Sequence, residues 1–147
     1  MSEAHAKTEI RFDCGVYLHG DTLDPKVVSE LLDILPTKSW KRDETFVSRS
    51  GIVTGRKSGL WSLSTVSPQH QFEPMIEGFL EKVDRSGMRI CEIPGVDLAK
   101  ISIFWSIVSD RTDSIGSTVT LSSLTISSLA RHGVSILFEL SVTDRES

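Results

Sequence analysis

Histidine, cysteine and basic charge are all in short supply in this chain, and each shortage removes a class of function. There are four histidines and two cysteines in 147 residues. Cys14 and Cys91 stand far apart with no C-x-x-C spacing, so they read as free thiols of a reducing compartment rather than as zinc ligands or a disulfide framework. Lys and Arg number 16 against 20 Asp and Glu, a formal net charge of -4, so no global positive field draws in nucleic acid or anionic lipid. No run approaches the roughly 20 apolar residues that cross a bilayer. The opening Met1-Ser2-Glu3-Ala4-His5 lacks the basic-then-apolar order of a signal peptide, and a cytoplasmic location is expected.

Catalytic motifs are missing as well. Serine is abundant, yet there is no G-x-S-x-G elbow, and neither cysteine has a histidine close in sequence, so no nucleophile stands out. The run Gly51 to Gly59 places Arg56 between Gly55 and Lys57. A phosphate loop needs glycine followed directly by lysine, so the run reads as a β-turn between strands. His5 lies in the opening arm, His70 follows Pro68, and His132 falls at a helix C-terminus, where a partly cationic imidazole suits the dipole. His19 and Asp21 form the one close His–Asp pair, which supplies at most two of the three or more ligands of a catalytic metal. No catalytic residue, metal or cofactor is therefore expected, and the chain reads as a non-enzyme.

Hydrophobic periodicity is what the chain does have. Residues 1–9 are polar and form a frayed arm, and residues 10–143 form one domain, a size that suits a single core. Ile10, Phe12, Cys14, Val16 and Leu18 alternate with polar residues, the signature of a half-buried strand over Ile10–His19. Asp24-Pro25 opens a helix over Pro25–Leu35 as N-cap and first residue, and Pro36 ends it. Thr37 to Lys57 reads as a loop and then a strand pair. Gly59 to Thr65 is a strand with Trp61, Leu63 and Thr65 on one face. Phe72, Met75, Ile76, Phe79, Leu80 and Val83 give the strongest helical period, ended by Gly87. Met88 to Ala99 is either a short strand or a connection broken at Pro94-Gly95. Lys100 to Asp110 is a central strand, and Ser109 to Ser117 a polar loop. Ser122 or Ser123 caps a helix with Ile126, Leu129 and Ala130 on its apolar face and Gly133 as terminator, and Val134, Ile136, Phe138, Leu140 and Val142 mark a last strand. The order predicts an α+β fold: a mixed, mostly antiparallel sheet with two or three helices on one face, on a ferredoxin-like plan.

Two charged surfaces are candidates for recognition. Lys38 to Lys57 carries six basic and two acidic residues, a local +4. With Lys41 and Arg42 between Trp40 and Trp61, it could stack bases or grip carboxylates. The plainer alternative is a Trp40 packed over a sheet edge that lysines keep from pairing with other chains. On the second helix Glu73, Glu77, Glu81 and Asp84 fall at i, i+4, i+8 and i+11. Like charges at that spacing cost a few tenths of a kcal/mol per pair, which a basic partner would relieve and a solvated face would tolerate.

Leu35-Pro36-Thr37-Lys38-Ser39-Trp40-Lys41-Arg42-Asp43, with Thr54-Gly55-Arg56-Lys57-Ser58-Gly59-Leu60-Trp61-Ser62-Leu63, Phe12-Asp13-Cys14-Gly15 and Leu129-Ala130-Arg131-His132-Gly133-Val134-Ser135-Ile136, resembles a bacterial family known as domain of unknown function 4279. The resemblance runs from about Ile10 to Val142, and departs from the expected pattern in having Arg42, not glycine, before Asp43. It implies no activity and no catalytic residues. By analogy of type, small families of this kind serve as immunity proteins beside secreted toxins. The expected function is thus non-catalytic binding of another protein, a basic toxin domain, through Glu73, Glu77, Glu81, Asp84, Trp40, Lys41, Arg42 and Trp61. The alternative is a small-molecule or nucleic-acid binding module built on Trp40, Trp61 and the basic segment. Nucleic acid is the less expected ligand, and no membrane is expected.

Overall fold

The alternation that opens the chain becomes β1 (Thr8–Gly20), the strand around which the sheet is built. A computed structural model describes residues 8–67, 72–109 and 120–144. His5, His70, residues 1–7 of the expected arm and residues 110–117 of the expected polar loop lie outside the described residues. β1 starts two residues ahead of the expected strand because Thr8 and Glu9 pair with Ser109 and Val108.

β5 (Gly59–Ser67) and β6 (Leu98–Ser109) flank β1, both antiparallel to it. Val16 lies opposite Leu63 on one side and Ile101 on the other, so the apolar residues of three strands share one face. β7 (Ser135–Asp144) continues the sheet beyond β6 as its one parallel neighbour, and β2 (Lys38–Trp40) pairs with the far side of β5. The strand order is β2-β5-β1-β6-β7. A separate hairpin is made by β3 (Thr45–Val47) and β4 (Val53–Gly55).

Three helices complete a mixed, mostly antiparallel α+β fold: α1 (Pro25–Leu32), α2 (Phe72–Ser86) and α3 (Ser123–Arg131). α2 joins β5 to β6 across the intervening β1, a split β-α-β unit, which is the element shared with a ferredoxin-like plan. α1 is shorter than the Pro25–Leu35 expected. Asp33 turns into the left-handed region at φ 53° and ends it, leaving Leu35 exposed. The Met88–Ala99 segment resolves as a connection: a 3-10 turn over Ile90–Glu92 and a tight turn at Gly95, with φ 83°.

The helices cover one face. Trp61 is fully buried, its indole N–H donating to Ser29 Oγ of α1 at 3.0 Å and its ring 6.0 Å from Phe79 of α2. Phe12 meets Phe72 of α2 at 6.2 Å. α3 differs from expectation in its face. Thr125 and Leu129 are buried, whereas Ile126 is half exposed and Ala130 exposed, because polar anchors at Thr125 and His132 rotate the helix. Along β7 exposure rises from buried Val134 before the strand to exposed Phe138, Leu140 and Val142. On the opposite, helix-free face Tyr17 lies back over Gly15, His19 stacks against Tyr17, and Lys100 stands over the same ring.

The lower end of β1 is a close crossing of three backbones. A Cβ on Gly20 would lie 1.7 Å from the Gly95 carbonyl oxygen, and one on Gly59 would lie 2.7 Å from the Gly20 carbonyl oxygen. Neither partner is a flexible side chain. Gly20→Ala is expected to lower stability by about 3 kcal/mol or more. Gly78→Ala, inside α2 where an added Cβ meets nothing within 4 Å, is expected to raise it by about 0.5–1 kcal/mol. Urea unfolding midpoints of the two variants check both signs.

Candidate functional site

The basic segment folds into a cleft at this crossing. β2 sets Trp40 opposite Leu60 of β5, and the Trp40 indole N–H donates to the Ser58 carbonyl at 3.0 Å. Asp43, at φ 68°, turns the chain into the hairpin. The ladder then extends past β4: Asp43 N–H donates to the Arg56 carbonyl at 2.9 Å and Arg56 N–H to the Glu44 carbonyl at 2.8 Å. Arg56 is thereby held with its guanidinium 3.8 Å from the Trp40 ring centre and 3.8 Å from that of Phe46, a double cation–π contact. The resulting cleft has a volume of about 320 Å³ and is lined by His19, Trp40, Phe46, Arg56, Lys57 and Ser58 among others.

The other members of the basic set have different surroundings. Lys41 pairs with Asp24 at 3.4 Å and Arg42 with Asp21 at 3.6 Å, which docks the β2–β3 loop on the end of β1 and the start of α1. Trp61 lies in the core under the helices, on the opposite face of the sheet from the His19 wall of the cleft. His19 contributes a buried Nε2 with no hydrogen-bond partner among the described residues. Burial first, and the nearby Lys100 ammonium second, push its pKa down, so the imidazole is neutral at pH 7. Its sequence neighbour Asp21 receives Arg42 instead and gives its own N–H to Asp97 Oδ2 at 3.3 Å. Among the described residues no three His, Cys, Asp or Glu side chains converge as a metal site. Burial raises the Cys14 thiol to about 12, so it is not a nucleophile at neutral pH.

The acidic row of α2 is largely engaged by α3. Glu73 accepts the Ser122 N–H at 2.8 Å and the Thr125 hydroxyl at 3.3 Å, reinforcing Ser122, whose Oγ accepts the Thr125 N–H as the helix N-cap. Asp84 holds Arg131 at 3.1 Å and His132 Nε2 at 2.9 Å. The Ile90 N–H donates to His132 Nδ1 at 3.2 Å, so Nδ1 carries no proton and Nε2 carries the one that reaches Asp84. His132 stands at the C-cap of α3, the helix C-terminus expected for it, and its buried side chain also pins together α2, α3 and the 3-10 turn. Glu81 binds Arg85 one turn on. Glu77 alone of the four has no partner among the described residues. It lines a groove of about 340 Å³ between α2 and α3 with Leu80, Glu81, Asp84 and Leu124, and Leu124 is 82% exposed.

His19, Phe46, Arg56 and Leu124 join the sequence-derived candidates. For Phe46 and Arg56 a signal existed. Once Gly51 is taken as a hairpin turn, Phe46 and Arg56 fall near the same end of the paired strands. Nothing in sequence linked Ser122 or His132 to α2.

The pKa shifts fix a pH dependence. Hydrogen bonds, the Ser122 N–H first, hold the Glu73 carboxyl below the ordinary range. Its stabilising effect is therefore complete above the unfolded-state value, about pH 4.3, and is lost as pH falls through the lower folded value. His19 acts in the same direction at higher pH. Its folded pKa lies below the unfolded value of about 6.5, so stability declines on acidification below that point. Thermal melts from pH 7 to 3 are expected to show both losses. Glu73→Gln should remove the lower one only, and His19→Gln the upper one only.

The chain matches the family model described as domain of unknown function (DUF4279) over residues 8–143. No curated protein and no solved structure matches it. With the match spanning nearly every residue of the sheet and all three helices, the chain belongs to the DUF4279 family.

Proposed function

We propose that this chain is a binding protein without a reaction of its own, whose partner is another protein that presents basic side chains to the groove between α2 and α3. The observation that carries this reading is the pairing, at the groove, of Glu77, a carboxylate without a partner among the described residues, with an exposed leucine, Leu124. An incoming Lys or Arg would lay its aliphatic stem along Leu124 and Leu80 and set its charge on Glu77, using apolar and electrostatic terms together. Glu81 and Asp84 stand beside it but already hold Arg85 and Arg131, so charge steering falls mainly on Glu77. The non-catalytic part of the reading is supported by His132–Asp84. This His–Asp pair has both imidazole nitrogens in use, one on a backbone N–H and one on the carboxylate, and His132 is only 2% exposed.

The narrower form of the proposal is inhibition of a secreted bacterial toxin by covering its active surface. Nuclease-type toxins are basic, and an acidic inhibitor of small size gains association rate from opposite charge. The test is co-purification with the product of the adjacent reading frame, followed by stopped-flow association. A one-to-one complex is expected whose association rate falls about tenfold on Glu77→Lys with Glu81→Lys and whose salt dependence weakens. An unchanged rate would remove the α2–α3 groove from the interface.

A further inference from the structure

We infer that the cleft between the β3–β4 hairpin and the end of β1 is a binding site for a small organic anion, a carboxylate or a phosphate monoester. It is separate from the α2–α3 groove. Four observations converge. First, Trp40 and Phe46 occupy both faces of the Arg56 guanidinium at 3.8 Å. The stacking leaves its in-plane N–H groups as the donors, and no carboxylate takes them among the described residues. A guanidinium fixed in plane and unpaired is suited to two coplanar oxygens, and stacking lowers the entropy lost on binding them. Second, Lys57 lines the same cleft without an ion-pair partner among the described residues, whereas Lys41 and Arg42 nearby are neutralised by Asp24 and Asp21. Third, His19 lines the cleft with its Nε2 buried and without a hydrogen-bond partner among the described residues, a cost that a small turn of the ring toward a ligand polar atom would relieve. Fourth, a volume of about 320 Å³ lies at the small end of ligand pockets, which suits a single metabolite.

The roles follow from position. Arg56 would hold the anionic group in a fork, Lys57 would add a point charge, and His19, on turning its ring, would bond a polar atom deeper in the cleft, where the aromatic rings receive the carbon body.

The probes are benzoate, phenyl phosphate and inorganic phosphate, titrated into the full chain and followed by ¹H–¹⁵N correlation spectra. The Trp40 indole resonance is identified by its loss in Trp40→Phe. A saturable shift of the Trp40 indole and the Arg56 side-chain N–H is expected for an organic anion, with affinity reduced about tenfold in Lys57→Gln and more in Arg56→Gln. Glu77→Lys should leave it unchanged, which separates this inference from the groove reading. Should Arg56→Gln unfold the hairpin, Lys57→Gln decides, because Lys57 is exposed and its replacement leaves the Arg56 stack in place. Three outcomes overturn the inference: no saturable shift up to about 10 mM of any probe, equal affinity in wild type and Lys57→Gln, or a response to a polyglutamate peptide with none to the small anions.

Discussion

The close approach of Gly20, Gly59 and Gly95 is the constraint on which the working end of the molecule depends. Side chains are excluded there, so three backbone segments bond one another directly. Leu23 N–H reaches the Gly20 carbonyl at 3.3 Å and Asp97 N–H the His19 carbonyl at 2.8 Å. Asp97 also returns a carboxylate to the Asp21 N–H. His19 immediately precedes Gly20, and Ser58 immediately precedes Gly59, so one wall and the floor of the cleft are fixed by backbone geometry. The opposite wall hangs on the Asp43, Glu44 and Arg56 ladder and on the Trp40–Ser58 bond. One side of the cleft is rigid, and the other is a two-stranded hairpin of the kind that is marginal by itself in water. The Arg56 stack is what fastens that hairpin to the sheet.

At the helix layer, polar pins take the place of the glycines. An exposed ion pair such as Arg131–Asp84 contributes about 0–1 kcal/mol. A hydrogen bond from a buried group to a charged acceptor, such as His132 to Asp84, contributes about 1.5–3 kcal/mol. The buried bond therefore decides where α3 sits, and the exposed arginine adds little. This is why α3, with its weak helix formers Ser123, Ser127 and Ser128, turns Thr125 and His132 inward at the expense of Ile126. Acidic residues on α2 in this way hold α3 in place, and in the groove between the two helices Glu77 is the carboxylate without a partner among the described residues.

How much of this was legible in the sequence depends on whether a signal was local. β1, α2 and β6 follow from period alone, since a half-buried strand and an amphipathic helix write their burial into consecutive residues. Trp61, read from sequence as a recognition residue, is instead buried in the core. It shares strand parity with Leu63, the parity that pairs with Leu18 and Val16, so its burial follows from the same alternation that identifies the strand. Composition alone made it look like Trp40, whose place at a sheet edge depends on three residues pairing with β5. The length of α1 was less legible, because an aspartate at a left-handed position ended it before the proline could. The acidic row was legible as a row but not as a set of caps and pins. Ser122 lies 49 residues from Glu73, and His132 lies 48 from Asp84, and no periodicity reports on partners at that distance.

The sheet also separates the α2–α3 groove from the hairpin cleft electrostatically. The helices and their groove occupy the face of Val16 and Trp61, while His19 and the cleft belong to the face of Tyr17 and Lys100. A sheet with a packed helix layer is thicker than the Debye length of about 8 Å at physiological ionic strength, so the negative potential at Glu77 and the positive one at Arg56 and Lys57 do not cancel. A net-acidic protein and a locally basic segment are therefore compatible, because each surface keeps its own local potential. The separation also predicts little coupling between them. The linings of the groove and of the cleft share no residue, and distant sites without shared partners contribute independently to binding.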